Sequence, residues 1–334
     1  MSAQHDRLDS ESRTSLEAFL GALPGGFNGI PDIVARREAS AALNAAGVEA
    51  AGGPDPSVTR DDRTVPGLDG DPEVPVRVYR PVDALADARL PGIFFIHGGG
   101  MIMGSIEGED GMATAYAREV GAVVVSTGYR KAPEDPHPAQ SRDCWAGLQW
   151  MAANAEELGY DPERLVIVGG SAGGNLALAT ALRARDEGGP AFALILAAYP
   201  MLDPSNTTPA SHSITEVGLW DRAGNIEAWE WFLGGSEPDK YASPLLETDW
   251  SGLAPIFIDV GTEDMFRDED ITLVGELVRQ GNLVEFHLYP GAFHASEVLA
   301  PEASLSKRIM ANRMDAVKRA VAAGQPGAVD AAAV

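Results

Sequence analysis

The chain has 334 residues, 45% of them hydrophobic, and a formal net charge of -24. That is length enough for one α/β core with insertions or for two small domains, and the charge has the wrong sign for gripping a phosphate backbone, which argues against nucleic acid as a partner. Cys144 is the only cysteine, which rules out an intramolecular disulfide, and no uninterrupted apolar run approaches the roughly 18 residues that would span a bilayer.

The start, Met1 to Arg7, is polar and lacks the basic and apolar regions of a signal peptide, which predicts a cytoplasmic protein. From about residue 11 to 50, amphipathic helical pieces are expected: Leu16, Phe19, Leu20 and Leu23 recur at helical spacing until Pro24-Gly25-Gly26 breaks the pattern. Alternation through Thr64-Val65-Pro66 and Val74 to Tyr79, separated by Gly67 to Asp71, predicts an antiparallel strand pair. After Pro91 the apolar runs Ile93 to Ile96, Ala122 to Ser126, Leu165 to Val168, Phe192 to Ala198, Ile256 to Val260 and Val284 to Tyr289 alternate with helical stretches. Continuous runs of this length are strands buried on both faces, and the intervening helices make them a mostly parallel sheet.

The gap between the fourth and fifth of these runs breaks the rhythm. It holds Trp220, Trp229, Trp231 and Phe232, and a connection of that length carries function or covers a site. The expected organisation is therefore an N-terminal part of a helical cap (1–50), a first catalytic part (51–202), a cap insertion (203–240) and a second catalytic part (241–323). A disordered tail (324–334) completes it. The acid excess fits either a salt-adapted surface or a biased genome composition.

Chemistry enters with Gly169-Gly170-Ser171-Ala172-Gly173, placed directly after one apolar run and directly before a helix former. This is the context of a nucleophile elbow, in which a serine on a sharp strand-to-helix turn presents its hydroxyl to substrate. A serine needs a base and an orienting acid. Of six histidines, His5, His137, His212 and His287 have adequate structural readings, and His294 follows the last strand at the edge where open α/β sheets place their sites. Asp264 leaves the preceding strand at the same edge, with Glu263 and Asp268 as competitors that sequence alone leaves open. His97-Gly98-Gly99-Gly100 follows the first run of the sheet and offers amides for an oxyanion, with Gly98, Gly99 and Ala172 the expected donors. His97 reads as a brace for that loop. Phe27, Met101 and Trp220 are candidate pocket residues. The order Ser171, Asp264, His294 is that of the α/β-hydrolases. No metal or organic cofactor is implied.

These motifs, with Tyr129-Arg130-Lys131-Ala132-Pro133-Glu134, Gly261 to Asp268 and Tyr289 to His294, resemble those of the bacterial hormone-sensitive-lipase family of esterases over about residues 75–310. The resemblance implies an eight-stranded α/β-hydrolase sheet, a helical cap, hydrolysis of short-acyl carboxylic esters as small-molecule substrates, Asp264 as the acid, and a tendency to homodimers. Gly170 stands where the family usually has Asp, and Met265-Phe266 where it usually has Pro-Leu. The alternatives are a ligand-binding receptor on the same scaffold, or an amidase or carbamate hydrolase using the same residues.

Overall fold

The computed structural model describes residues 5–50, 52–85, 87–214 and 218–324. The expected disordered tail lies, beyond Gly324, outside the described residues. In chain order the elements are α1 (Ser10–Ala22), α2 (Ile33–Ala50), β1 (Val58–Val65), β2 (Val74–Pro81), β3 (Leu90–Ile96), α3 (Asp110–Val120) and β4 (Val123–Thr127). Next come α4 (Ala139–Ala153), α5 (Ala155–Leu158), β5 (Tyr160–Gly170), α6 (Ala172–Glu187), β6 (Leu194–Ala198), α7 (Pro209–Ser213) and α8 (Arg222–Leu233). The chain closes with β7 (Ile256–Gly261), α9 (Arg267–Arg279), β8 (Val284–Tyr289), α10 (Ser296–Leu299) and α11 (Ser304–Ala323).

The strands form one sheet of eight in the order β1-β2-β4-β3-β5-β6-β7-β8. β1 and β2 pair antiparallel, β2 meets β4 antiparallel, and every later pair is parallel. Side chains alternate between two cores because successive residues of a strand point to opposite faces. Ile93, Phe95, Val124 and Val166 meet Tyr116 of α3 and Val317 of α11, whereas Phe94, Ile96, Val125 and Ile167 meet Leu148 of α4 and Leu176 of α6. Each such side chain contributes about 1.5–3 kcal/mol on burial, which is why both faces of these strands read as apolar.

Several strand boundaries shift from the sequence reading. β5 begins at Tyr160, not Leu165, because Tyr160 and Asp161 pair with Leu90 and Pro91 ahead of a register shift; their polar neighbours hide this extension from a hydrophobicity pattern. β6 begins at Leu194, two residues after the apolar run does.

The order turns around at β3, whose neighbours are β4 and β5. Such a switch point leaves a crevice at the carboxyl ends of the strands, where open α/β sheets bind ligands. The loop after β3 and the turn after β5 both open there. The N-terminal helices and the 203–240 segment pack together beside it: Arg36 of α2, 1% exposed, pairs with Glu227 of α8 at 2.6 Å and lies over the Trp231 ring. Arg37 bonds the carbonyls of Ile102 and Ala132 at 2.7 Å each and pairs with Glu134, tying α2 to the loops that follow β3 and β4.

Candidate active site

Ser171 occupies the single residue between β5 and α6 with φ 58° and ψ -121°, a conformation that costs an L-residue of order 1–3 kcal/mol and persists only where the surroundings enforce it. They do so by backbone hydrogen bonds, Ser171 N–H to the Ala198 carbonyl at 2.9 Å and Met201 N–H to the Ser171 carbonyl at 3.1 Å. They also do so by crowding: a Cβ on Gly169 would stand 2.1 Å from the Gly173 carbonyl oxygen, and one on Gly173 2.1 Å from that of Ile96.

His294, five residues past β8, brings Nε2 to 3.0 Å from Ser171 Oγ, while Nδ1 lies 2.8 Å from Asp264 Oδ2. All three side chains are buried. The other Asp264 oxygen accepts the Phe266 amide at 3.0 Å, which fixes the carboxylate. An ionised Asp264 can only accept, so Nδ1 carries the proton and Nε2 is free to receive one from the serine. The two competing acids are engaged elsewhere, Glu263 with Arg7 at 2.9 Å and Asp268 with the Ala210 amide at 2.7 Å.

The loop after β3 departs from the sequence reading at one position. The Gly98 amide donates to the Glu109 carboxylate at 2.7 Å and so is withdrawn from the set of expected oxyanion donors. The amides of Gly99, Gly100 and Ala172 have no protein acceptor among the described residues. Gly100 adopts φ +62°, and an added Cβ would meet the Trp220 ring at 2.3 Å; the indole thus lies directly over this loop. His97 is fully buried, its Nδ1 is 2.7 Å from the Gly98 carbonyl and its ring stacks on Tyr129 at 4.2 Å. Burial draws its pKa down to about 3, so it is a neutral donor bracing the turn. Glu109 moves the other way: its carboxyl lies deep although the residue is partly exposed, and burial pushes its pKa up to about 7.

A pocket opens beside His294, lined among others by Leu8, Leu16, Ile214, Trp220, Met265 and Phe293. Trp220 is the one sequence-designated pocket residue found in its wall. Phe27 packs against Phe19 at 5.6 Å and Met101 is fully buried, and neither lines this pocket. The N-terminal segment presents Leu8, ahead of α1, and Leu16 of α1 instead, because Arg7 and Asp9 anchor that segment to Glu263 and to the Gly291 carbonyl. His5 also lines the pocket, although its polar context gave no sign of this. Among the described residues no group of His, Cys, Asp and Glu could hold a metal ion, and no helix is long and apolar enough to cross a membrane.

Gly100, Glu109 and Tyr199 were not designated from sequence. Gly100 differed from its neighbours in nothing visible, while Tyr199 stands directly after the carboxyl end of β6, a position that could have marked it.

Residues 93–297 match a family of alpha/beta hydrolase fold. A carboxylesterase of Mycobacterium tuberculosis, NlhH, is 34% identical over 273 residues, covering 80% of this chain and 84% of the relative. Ethyl acetate hydrolase of Pseudomonas putida is 32% identical over 248 residues, covering 71% and 72%. A bacterial heroin esterase of known structure superposes with a TM-score of 0.88 at 35% identity, covering 96% of this chain and 99% of that one. The chain therefore belongs to the α/β-hydrolase family of carboxylic ester hydrolases, in the hormone-sensitive-lipase branch whose motifs it carries.

Proposed function

We propose that this protein is a serine carboxylesterase for short-acyl esters, acting through an acyl-enzyme on Ser171. Ser171 Oγ attacks the ester carbonyl carbon as His294 Nε2 takes its proton, and the carbonyl oxygen becomes an oxyanion held by the amides of Gly99, Gly100 and Ala172. On collapse of this intermediate, His294 returns the proton to the departing alcohol. Water enters, gives a proton to the same nitrogen and attacks the acyl carbon, and the released Ser171 is reprotonated as the acid leaves. Asp264 keeps the imidazole in the required tautomer and stabilises its charged form.

The observation that carries this reading is the unbroken hydrogen-bond chain from Ser171 through His294 to Asp264, with unpaired amides beside it. The indole over Gly100 and the activity named for the Pseudomonas relative support a small acyl group. The N-terminal helices and the 203–240 segment form the cap in this reading. With p-nitrophenyl butyrate, the Ser171→Ala variant is expected to lose about 10³-fold or more in kcat, and equal rates for the two proteins would end the esterase reading.

A further inference from the structure

Residue 170, immediately before the nucleophile, has no side chain, and the space beneath the elbow is filled from elsewhere. The point where a Gly170 Cβ would stand is 3.4 Å from Tyr199 Cε2 and 3.6 Å from the Tyr199 hydroxyl oxygen. Tyr199 reaches this place with φ +33°, unusual for a residue with a side chain, and its amide is tied to the Asp259 carbonyl at 2.7 Å. The ring then stands edge-on to the imidazole of His294, with centroids 4.8 Å apart at 65°. On another side of the imidazole, Phe266 packs edge-on at 5.0 Å.

The phenol is itself held. Its hydroxyl donates to Glu297 Oε1, three residues after His294, and Arg313 Nη1 donates to the same oxygen at 2.6 Å. Arg313 lies over the Tyr199 ring at 4.9 Å and grips Asp259 through two hydrogen bonds of 2.7 and 2.8 Å. Asp259, Glu297, Arg313 and Tyr199 are all buried. A guanidinium from α11 offsets part of the cost of burying Asp259 inside β7, yet burial still holds its carboxyl above the ordinary range. Burial opposes ionisation of Glu297, yet Arg313 and the phenol outweigh it and hold the carboxyl below its ordinary range. Burial and the neighbouring Glu297 push Tyr199 far up, so the phenol remains a donor.

Such an arrangement is a poor way to gain stability alone, since apolar residues of similar volume commonly stabilise a core as well or better. Its geometry has a different yield. It joins the elbow, the end of β6, β7, α10 and α11 at the flank of His294.

We propose that Tyr199 and Glu297 are positioning residues, which set the imidazole plane of His294 against Ser171 in an elbow that lacks a side chain at position 170. The proposal rests on the esterase reading above. Tyr199→Phe keeps the ring and removes only the hydroxyl, and a small misplacement of a reacting group is enough to slow chemistry markedly. With p-nitrophenyl butyrate, and with active enzyme counted by fluorophosphonate titration, Tyr199→Phe is expected to lower kcat about ten-fold and to change KM less than about two-fold. Glu297→Gln is expected to show the same split. Val317→Ala, a cavity in the same core layer at a residue outside the hydrogen-bonded Tyr199–Glu297–Arg313–Asp259 network, serves as the control: it is expected to lower Tm and leave kcat per active site unchanged. A Tyr199→Phe enzyme that loses Tm as Val317→Ala does and keeps the wild-type kcat would overturn the proposal. Should Glu297→Gln not accumulate as folded protein, Tyr199→Phe carries the test alone. Ser171→Ala in the same assay separates the two levels, because full activity in that variant would remove the esterase reading itself.

Discussion

The site has two walls of different construction. One is carried by the sheet: Ser171 follows β5 directly, Asp264 and His294 follow β7 and β8, and their side chains are joined by hydrogen bonds of 2.8 and 3.0 Å in a buried setting. The other is assembled from segments distant in sequence, Leu8 and Leu16 from the N-terminus and Ile214 and Trp220 from the 203–240 segment. Its links to the sheet wall include the half-exposed Arg7, paired with Glu263, and single backbone contacts such as Asp9 to Gly291. The triad side chains thus sit on strand ends of one sheet, whereas much of the pocket wall comes from segments far apart in sequence.

The largest test of this contrast falls on the sheet wall. Asp264→Asn keeps the shape of the acid and favours the wrong tautomer of His294, so kcat is expected to fall by about 10³–10⁴-fold with little change in KM. A loss of less than ten-fold would mean that the imidazole is oriented by its aromatic neighbours without the carboxylate. On the opposite wall, Trp220→Ala removes the indole lying over Gly100. It is expected to shift the preference between p-nitrophenyl octanoate and butyrate about ten-fold toward the longer ester, an effect of pocket size alone. An unchanged ratio, or a collapse of kcat for both esters, would place Trp220 with the catalytic frame.

The smallest effect concerns the loop between the two walls. Glu109 has an ordinary carboxyl pKa of 4.5, and burial raises it to about 7 in the folded protein. Between these values the unfolded chain has released the proton and the folded one retains it. The associated stability is therefore fully present below about 4.5 and is lost as pH rises through about 7. Glu109→Gln removes this slope, so the difference in Tm between variant and wild type is expected to grow by about 2–3 °C in the variant's favour from pH 5 to pH 8. A constant difference would show that the carboxyl titrates as an ordinary surface acid.

How much of this was legible in advance follows the same division. The parallel strands were visible because both faces of each are buried and read as continuous apolar runs. The elbow was visible because close crossing of strand and helix demands glycine at 169 and 173. Within the glycine loop, however, three identical residues gave no means of telling which amides are free; that depended on Glu109 reaching back to Gly98. Phe27 was a reasonable candidate for the pocket on local grounds, yet it turns to Phe19 while Leu8 and Leu16 line the wall. Helical periodicity marks a buried face without naming what it is buried against.

Sequence by itself determined the α/β class, the candidate nucleophile and the strands after which its proposed base and acid lie, since these rest on periodicity, glycine spacing and chain order. The family resemblance, not periodicity, singled out Asp264 among the neighbouring acids, and only the tertiary structure decided which amides remain unpaired and what fills the space beside Gly170. Those outcomes depend on side chains that meet across separations such as Tyr199 to Glu297 and Asp259 to Arg313. A local pattern records which face of an element is covered, and the partner that covers it is chosen only when the whole chain packs.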